Sequence, residues 1–169
     1  MTVCTGNICR SPIAEAVLRD RFESAGLGDS VQVDSTGVSG EESGNPIDPR
    51  AAAVLRGAGY PVPAHRARQV RRSEIGERDL ILAMTARHAQ VLRALASDDR
   101  AASRIRMYRS FDPAAQAAGG SADQAEARLD VRDPWYGDEK DFEATLAQVE
   151  AAADAIVDHV RAELNAPAG

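Results

Sequence analysis

Leu80-Ile81-Leu82-Ala83-Met84 is the most apolar run in the chain, bounded by Asp79 and Thr85. Consecutive apolar residues without polar alternation read as a strand buried on both faces, and such strands belong to parallel sheets covered by helices. A parallel neighbour is reached only through a crossover, so the segments around this run have to supply helices. They do. From Pro12 to about Ala25, Ile13, Ala14, Val17, Leu18 and Phe22 recur at helical spacing, and Gly26 stops the run; Ser11 is the expected cap and Pro12 suits the first helical position. Asp48 to Ala58 reads as a second helix, opened by Asp48-Pro49 and stopped by Gly57 and Gly59. Thr85 caps a third with Val91, Leu92 and Leu95, and about Asp141 to Leu164 is a long amphipathic helix with Phe142, Leu146, Val149, Ala153, Ile156, Val160 and Leu164 on one stripe. Met1-Thr2-Val3, Val31-Gln32-Val33 and Ile105-Arg106-Met107-Tyr108 read as short strands. Asp34 to Gly44 reads as a Ser/Thr/Gly-rich loop, and Ala114 to Ala127 as a surface loop or weak helix. With no internal repeat and no linker, residues 1–169 are expected to form a single α/β domain around a mainly parallel sheet.

The only cysteines, Cys4 and Cys9, lie where the first strand ends, and in an open parallel sheet a ligand site belongs at the carboxyl ends of the strands. Two cysteines make no disulfide scaffold, and no apolar run has signal or transmembrane length; the expectation is a cytoplasmic protein with no membrane partner. The net charge of −6 gives no global footprint for nucleic acid, so any anion site has to be local.

Cys4-Thr5-Gly6-Asn7-Ile8-Cys9-Arg10 leads from a strand into the helix begun by Ser11-Pro12. Successive backbone N–H groups in such a loop can turn inward as a nest, and the helix end adds partial positive charge. Arg10 offers a planar fork for two phosphate oxygens. The same field favours the thiolate, the nucleophilic form of Cys4. Taken singly, Cys4 reads equally as a small buried residue and Arg10 as a surface one; their strand–loop–helix setting favours chemistry. A Walker loop would need Gly-Lys-Ser/Thr, which is absent from this position. Asp133-Pro134 alone reads as a turn opener, and Trp135 and Tyr136 as core or surface aromatics. His88 and His159 fall in predicted helices without partners at metal-ligand spacing and read as surface residues; no metal or cofactor is expected.

The segment Val3 to Val17 resembles the signature of the low-molecular-weight protein tyrosine phosphatases. Asp34-Ser35-Thr36-Gly37, Gly44-Asn45-Pro46, Asp48-Pro49-Arg50, His65 to Gln69, Asp79 to Met84 and Asp133-Pro134-Trp135-Tyr136-Gly137 follow in that family's order. The resemblance implies a three-layer sandwich with a four-stranded sheet of order 2-1-3-4 and helices on both faces. It implies a protein tyrosine phosphatase acting through a cysteinyl-phosphate: Cys4 as nucleophile, Arg10 and the amides of Thr5, Gly6, Asn7, Ile8 and Cys9 on the phosphate, Asp133 as general acid and base. Asn7, Ser11, Ser35 and His65 would support the loop, Ser11 also assisting the leaving thiolate. Glu41, Trp135 and Tyr136 would wall the substrate. The implied partners are phosphotyrosine proteins, and the implied state a monomer or weak dimer. Cys9 resembles the family's redox partner of the nucleophile, or is simply a small loop residue.

Three departures stand out. Only Met1, Thr2 and Val3 precede Cys4, and a few added residues are expected to stabilise that strand. Glu41, followed by Glu42, stands where many relatives carry an aromatic residue, and Trp135 where Tyr or Phe is commoner. Two rival activities share the loop. A protein arginine phosphatase carries Thr where this chain has Ile8; a thiol-coupled arsenate reductase uses later cysteines, absent after Cys9, so it would need an external thiol. A phosphate-binding module without activity is the third alternative.

Overall fold

In the computed structural model, which describes residues 1–116 and 128–166, the apolar run supplies the strand β3 (Ile81–Ala83). It lies inside a four-stranded sheet with β1 (Thr2–Cys4), β2 (Ser35–Gly37) and β4 (Ile105–Met107). The order is β2-β1-β3-β4 and every pairing is parallel. The register sets Cys4 beside Gly37, and Val3 beside Ala83.

Alternation along these short strands divides the core in two. Val3, Ile81, Ala83, Ile105 and Met107 face a layer with Ile75, Ala89 and Leu92, drawn from α3 (Arg72–Glu77) and α4 (Ala86–Leu95). Cys4, Leu82 and Met84 belong to the opposite cluster, formed with α1 (Arg10–Ser24), α2 (Pro49–Gly57) and α7 (Glu139–Asn165). Between β3 and β4, α4 is followed by α5 (Asp99–Ser103); a 3-10 turn (Tyr108–Phe111) and α6 (Pro113–Gln116) follow β4. This is the expected three-layer sandwich. On α7 the apolar stripe is buried from Phe142 to Ile156, and it runs out at Leu164, which is exposed.

Several local expectations are corrected. The second strand is Ser35–Gly37, inside the expected loop, and not Val31–Val33. Val33 is buried, but its carbonyl accepts the Arg19 guanidinium at 2.9 Å, which occupies the group a ladder would use. The fourth strand ends at Met107, because Tyr108 opens the 3-10 turn. Ser11 does not cap α1: Cys9 holds the cap position without a side-chain bond, and Ser11 sits inside the first turn with its hydroxyl turned back to the strand ends. The short helices α3 and α5 carry too few apolar residues to show a period. Of the expected loop at Ala114 to Ala127, residues 114–116 are in α6 and residues 117–127 lie outside the described residues. Among the described residues no helix is long and apolar enough to cross a membrane.

Beside β2, Asp34 accepts from Arg68 at 2.9 Å and from Arg78 at 2.8 Å. Glu74 pairs with the same two arginines. Burial opposes ionisation of Asp34, but the Arg78 hydrogen bond, the chain's amino group and Arg68 hold its carboxyl below the ordinary range. A carboxylate with a depressed folded value stabilises the fold above the unfolded value near 4 and ceases to as pH falls through the folded one. Asp34→Asn should therefore cost roughly 1–2 kcal/mol at neutral pH, and the difference in melting temperature should close in acid. An undiminished difference at pH 3 would contradict the electrostatic origin.

Candidate active site

The loop after β1 is shaped by where its carbonyls go. Those of Cys4 and Thr5 accept from Val38 and Ser39 beyond β2, at 2.9 and 3.0 Å. That of Ile8 accepts from the Asp48 N–H at 2.8 Å, and that of Asn7 from His65 Nε2 at 2.5 Å. A carbonyl only accepts, so His65 carries its proton on Nε2. With these oxygens tied outward, the enclosed side of the loop is left to N–H groups, the arrangement of an anion nest.

The tight turn falls on Asn7, the one non-glycine residue with positive φ (60°) among the described residues, and Asn tolerates that region better than most. Its side chain is fully engaged: Nδ2 donates to Ser11 Oγ and Ser35 Oγ, both at 2.9 Å, and Oδ1 accepts from the Arg68 N–H at 3.0 Å. Ser35 in turn donates to Glu15 Oε2 at 2.5 Å, and Glu15 pairs with Arg19 at 2.7 Å. A carboxylate only accepts, so Ser35 gives its hydrogen to Glu15 and takes the Asn7 amide. Ser11 likewise accepts from Asn7 and keeps its own hydrogen for Cys4 Sγ at 3.1 Å or the Thr36 carbonyl at 3.2 Å. A chain of polar bonds, buried from Glu15 inward, thus runs from the exposed Arg19 to the Cys4 sulfur. Glu15 was not among the expected site residues; its (i, i+4) spacing to Arg19 within an otherwise apolar helix start is the signal for it.

Close approach fixes a further residue. A Cβ on Gly37 would lie 2.5 Å from the Thr5 carbonyl oxygen and 3.1 Å from the Asn7 nitrogen. The end of β2 therefore meets the loop backbone to backbone. On the other side, a Cβ on Gly6 would come 2.8 Å from Glu42 Cγ, so Glu42, rather than its neighbour Glu41, packs over the loop. Glu41 is exposed.

Arg10 closes the loop and is buried. Its guanidinium donates to the Val131 carbonyl at 3.3 Å, to Thr5 Oγ1 at 3.2 Å and to Asp133 Oδ2 at 2.5 Å. Its Nε has no partner among the described residues. Asp133, half exposed, is held from behind. Val131 N–H donates to the Met84 carbonyl at 2.7 Å, placing this segment at the end of β3, and the Asp133 carboxylate caps the Trp135 N–H at 3.2 Å.

Arg50 spans this segment and the loop. It donates to the Trp135 and Gly137 carbonyls at 3.1 and 3.2 Å, pairs with Asp48 at 2.9 Å, and lies 4.5 Å over the Phe142 ring. Since the Asp48 N–H holds the Ile8 carbonyl, one short motif ties both halves of the site together. Trp135 and Tyr136 are exposed, Tyr136 almost completely. Cys9 is buried, and burial, followed by Asp48, pushes its thiol well above the ordinary range; both cysteines are free.

His88 is not the expected surface residue. It is 3 % exposed, with Nε2 2.9 Å from Thr5 Oγ1. Burial, then the charges of Arg10 and Arg87, pushes it down to about 3, so it is neutral. Its place on the stripe with Leu92 and Leu95 is the signal for its burial. His159 is half-buried, its ring 5.2 Å from that of Phe111. Among the described residues no group of three or more His, Cys, Asp or Glu side chains is placed to hold a metal ion.

A nest of amides, a thiol beside a hydroxyl, a buried guanidinium and a half-exposed carboxylate together make up a set of groups able to bind a tetrahedral dianion next to a sulfur nucleophile. Several known proteins resemble this chain in sequence and fold. Residues 1–166 match the family model described as low molecular weight phosphotyrosine protein phosphatase. A low molecular weight protein-tyrosine-phosphatase of Streptomyces coelicolor is 47% identical over 162 residues, covering 96% of this chain and 93% of that protein. A crystal structure of a protein tyrosine phosphatase from Entamoeba histolytica superposes with a TM-score of 0.84 at 27% identity, covering 96% of each chain. The YwlE arginine phosphatase, of Bacillus subtilis, superposes with a TM-score of 0.77 at 25% identity, covering 95% of this chain and 93% of that one.

Proposed function

Because this chain belongs to the low molecular weight phosphotyrosine protein phosphatase family, we propose that it hydrolyses phosphotyrosine in proteins through a phosphate ester of Cys4. The observation that carries this reading is the contact of Arg10, on the loop begun by Cys4, with Asp133, which the fold returns from 123 positions along the chain.

The thiolate of Cys4 attacks phosphorus in line while Arg10 and the loop amides hold the equatorial oxygens; the bond from phosphorus to the tyrosyl oxygen breaks, and Asp133 gives that oxygen its proton. Water then attacks the phosphocysteine, Asp133 takes the water's proton, and sulfur leaves as thiolate toward the Ser11 hydroxyl 3.1 Å away. On binding, the dianion replaces the Asp133 carboxylate at Arg10, which returns Asp133 to the leaving oxygen. The test is a rapid-quench reaction with p-nitrophenyl phosphate. A burst of p-nitrophenol equal to the enzyme, with phosphate trapped on Cys4, is expected; a linear onset with no phosphocysteine even at low temperature would contradict the intermediate. Phosphoarginine in the same assay separates the rival activity: the apolar Ile8 in the loop favours the aryl ester, and faster turnover of phosphoarginine would reverse the assignment.

Arg50 positions Asp133 through the Trp135 and Gly137 carbonyls, not through the phosphate. Arg50→Ala is therefore expected to lower kcat for phenyl phosphate about tenfold or more, with a smaller change in inhibition by inorganic phosphate. Equal losses in both would mean that the whole loop had shifted.

Glu42 over Gly6, with Glu41 beside it, makes one rim of the site acidic. At low salt, phosphotyrosyl peptides with basic flanks should show higher kcat/KM than acidic ones, about threefold to tenfold, shrinking as salt is added. Identical values would remove the carboxylates from substrate selection.

A further inference from the structure

Thr5 Oγ1 stands between two side chains, Arg10 and His88, of which the proposed mechanism uses only the first. Arg10 Nη2 lies 3.2 Å away and can only donate, so the hydroxyl accepts from it. His88 Nε2 lies 2.9 Å away on the other side. A neutral imidazole has one N–H and one lone pair, and its second nitrogen here, Nδ1, is buried with no partner among the described residues. A proton on Nδ1 would be a buried donor with nothing to bond; a proton on Nε2 leaves only a lone pair there. Orphaned buried N–H groups are the rarer case. The proton therefore sits on Nε2 and is donated to Thr5.

With both acceptor positions of Thr5 Oγ1 filled, its own hydrogen has to point elsewhere. Thr5 is exposed, and its oxygen shares Arg10 Nη2 with the Asp133 carboxylate. The direction left open is thus toward the anion position on Arg10. We propose that the Thr5 hydroxyl is a further hydrogen-bond donor to a phosphoryl oxygen of the substrate, and that His88 is the positioning residue that turns it there by donating from Nε2. The proposal rests on the phosphatase reading of the same loop. It adds a side-chain donor to the backbone nest and gives a buried imidazole from the opposite helical layer a part in phosphate recognition. His88 moves no proton, because burial beside Arg10 keeps it neutral.

Two measurements that need no turnover test this. In the full chain labelled with 15N-histidine, long-range 1H–15N correlation at neutral pH, with His88 assigned by His88→Asn, should show the Nε2–H tautomer; the Nδ1–H tautomer would overturn the proposal. Calorimetric titration with inorganic phosphate should show binding weakened about tenfold in Thr5→Val, the loss of one hydrogen bond to a charged group. Thr5→Ser, which restores the hydroxyl, should recover most of it. His88→Phe should weaken phosphate comparably, and the double variant should be no weaker than Thr5→Val alone, since His88 acts through Thr5. Wild-type affinity in Thr5→Val, or additive losses in the double variant, would overturn the proposal. Should His88→Phe not fold, the tautomer and Thr5→Val decide alone. Failure of the phosphatase reading would appear elsewhere, as a wild-type protein that turns over no phosphotyrosyl substrate.

Discussion

Cys4→Ser is expected to lower kcat for p-nitrophenyl phosphate by more than about 10⁴-fold while leaving substrate binding largely in place. A serine hydroxyl in place of the thiol is a far poorer nucleophile because it stays protonated at any working pH, and among the described residues no carboxylate or imidazole is hydrogen-bonded to that position to activate it. In the proposed mechanism Asp133 serves the leaving oxygen. The Ser11 hydroxyl, 3.1 Å from sulfur, is itself a donor toward that position and supplies no base. Single-turnover kinetics together with calorimetric titration of phosphate separate the two effects. Residual turnover above about 1% of wild type, beyond what contaminating enzyme explains, would require another nucleophile.

Asp133→Ala is expected to act on both halves of the cycle and in opposite directions on binding and chemistry. For phenyl phosphate, whose leaving group needs a proton, kcat should fall about 10²–10³-fold. For p-nitrophenyl phosphate the loss should be smaller, because that phenolate departs unassisted, so a plot of rate against leaving-group acidity should steepen. Inorganic phosphate should bind about three- to tenfold tighter, since Arg10 no longer has to exchange a carboxylate at 2.5 Å for the incoming dianion. The half-exposed carboxylate makes this a modest gain. A loss of the same size for both esters would assign Asp133 to structure and not to proton transfer.

What could be read from the residues alone depended on whether local pattern or distant contact decides the position. The apolar run at Leu80–Met84 and the periodic stripes of α1 and α7 bury themselves by local spacing, so layers and sheet class were legible. β2 was not, because Ser35-Thr36-Gly37 carries no strand pattern of its own. It is a strand because Gly37 can lie against the loop and the Ser35 hydroxyl is needed by Asn7 and Glu15. The chemical types at Cys4, Arg10 and Asp133 were legible from motif, but their meeting depends on the Met84–Val131 bond that carries the later segment to the end of β3. His88 shows the limit most clearly. Its contact with Thr5 crosses 83 positions, and only its place on the stripe of α4 hints that it points inward. Glu15 is buried because two groups, Arg19 and Ser35, satisfy both of its oxygens.

The seam at Gly37 also bears on how such an enzyme can be altered. Because strand end and phosphate loop touch there with no side chain between them, a library of variants under selection for activity should be stripped of every substitution at this position, even alanine. The outer residues Glu41, Glu42, Trp135 and Tyr136 should tolerate substitution far better, with shifts in substrate preference rather than loss of activity. New specificities are then to be sought by redrawing that outer ring, since the floor beneath it has no spare volume in which a compensating change could be made.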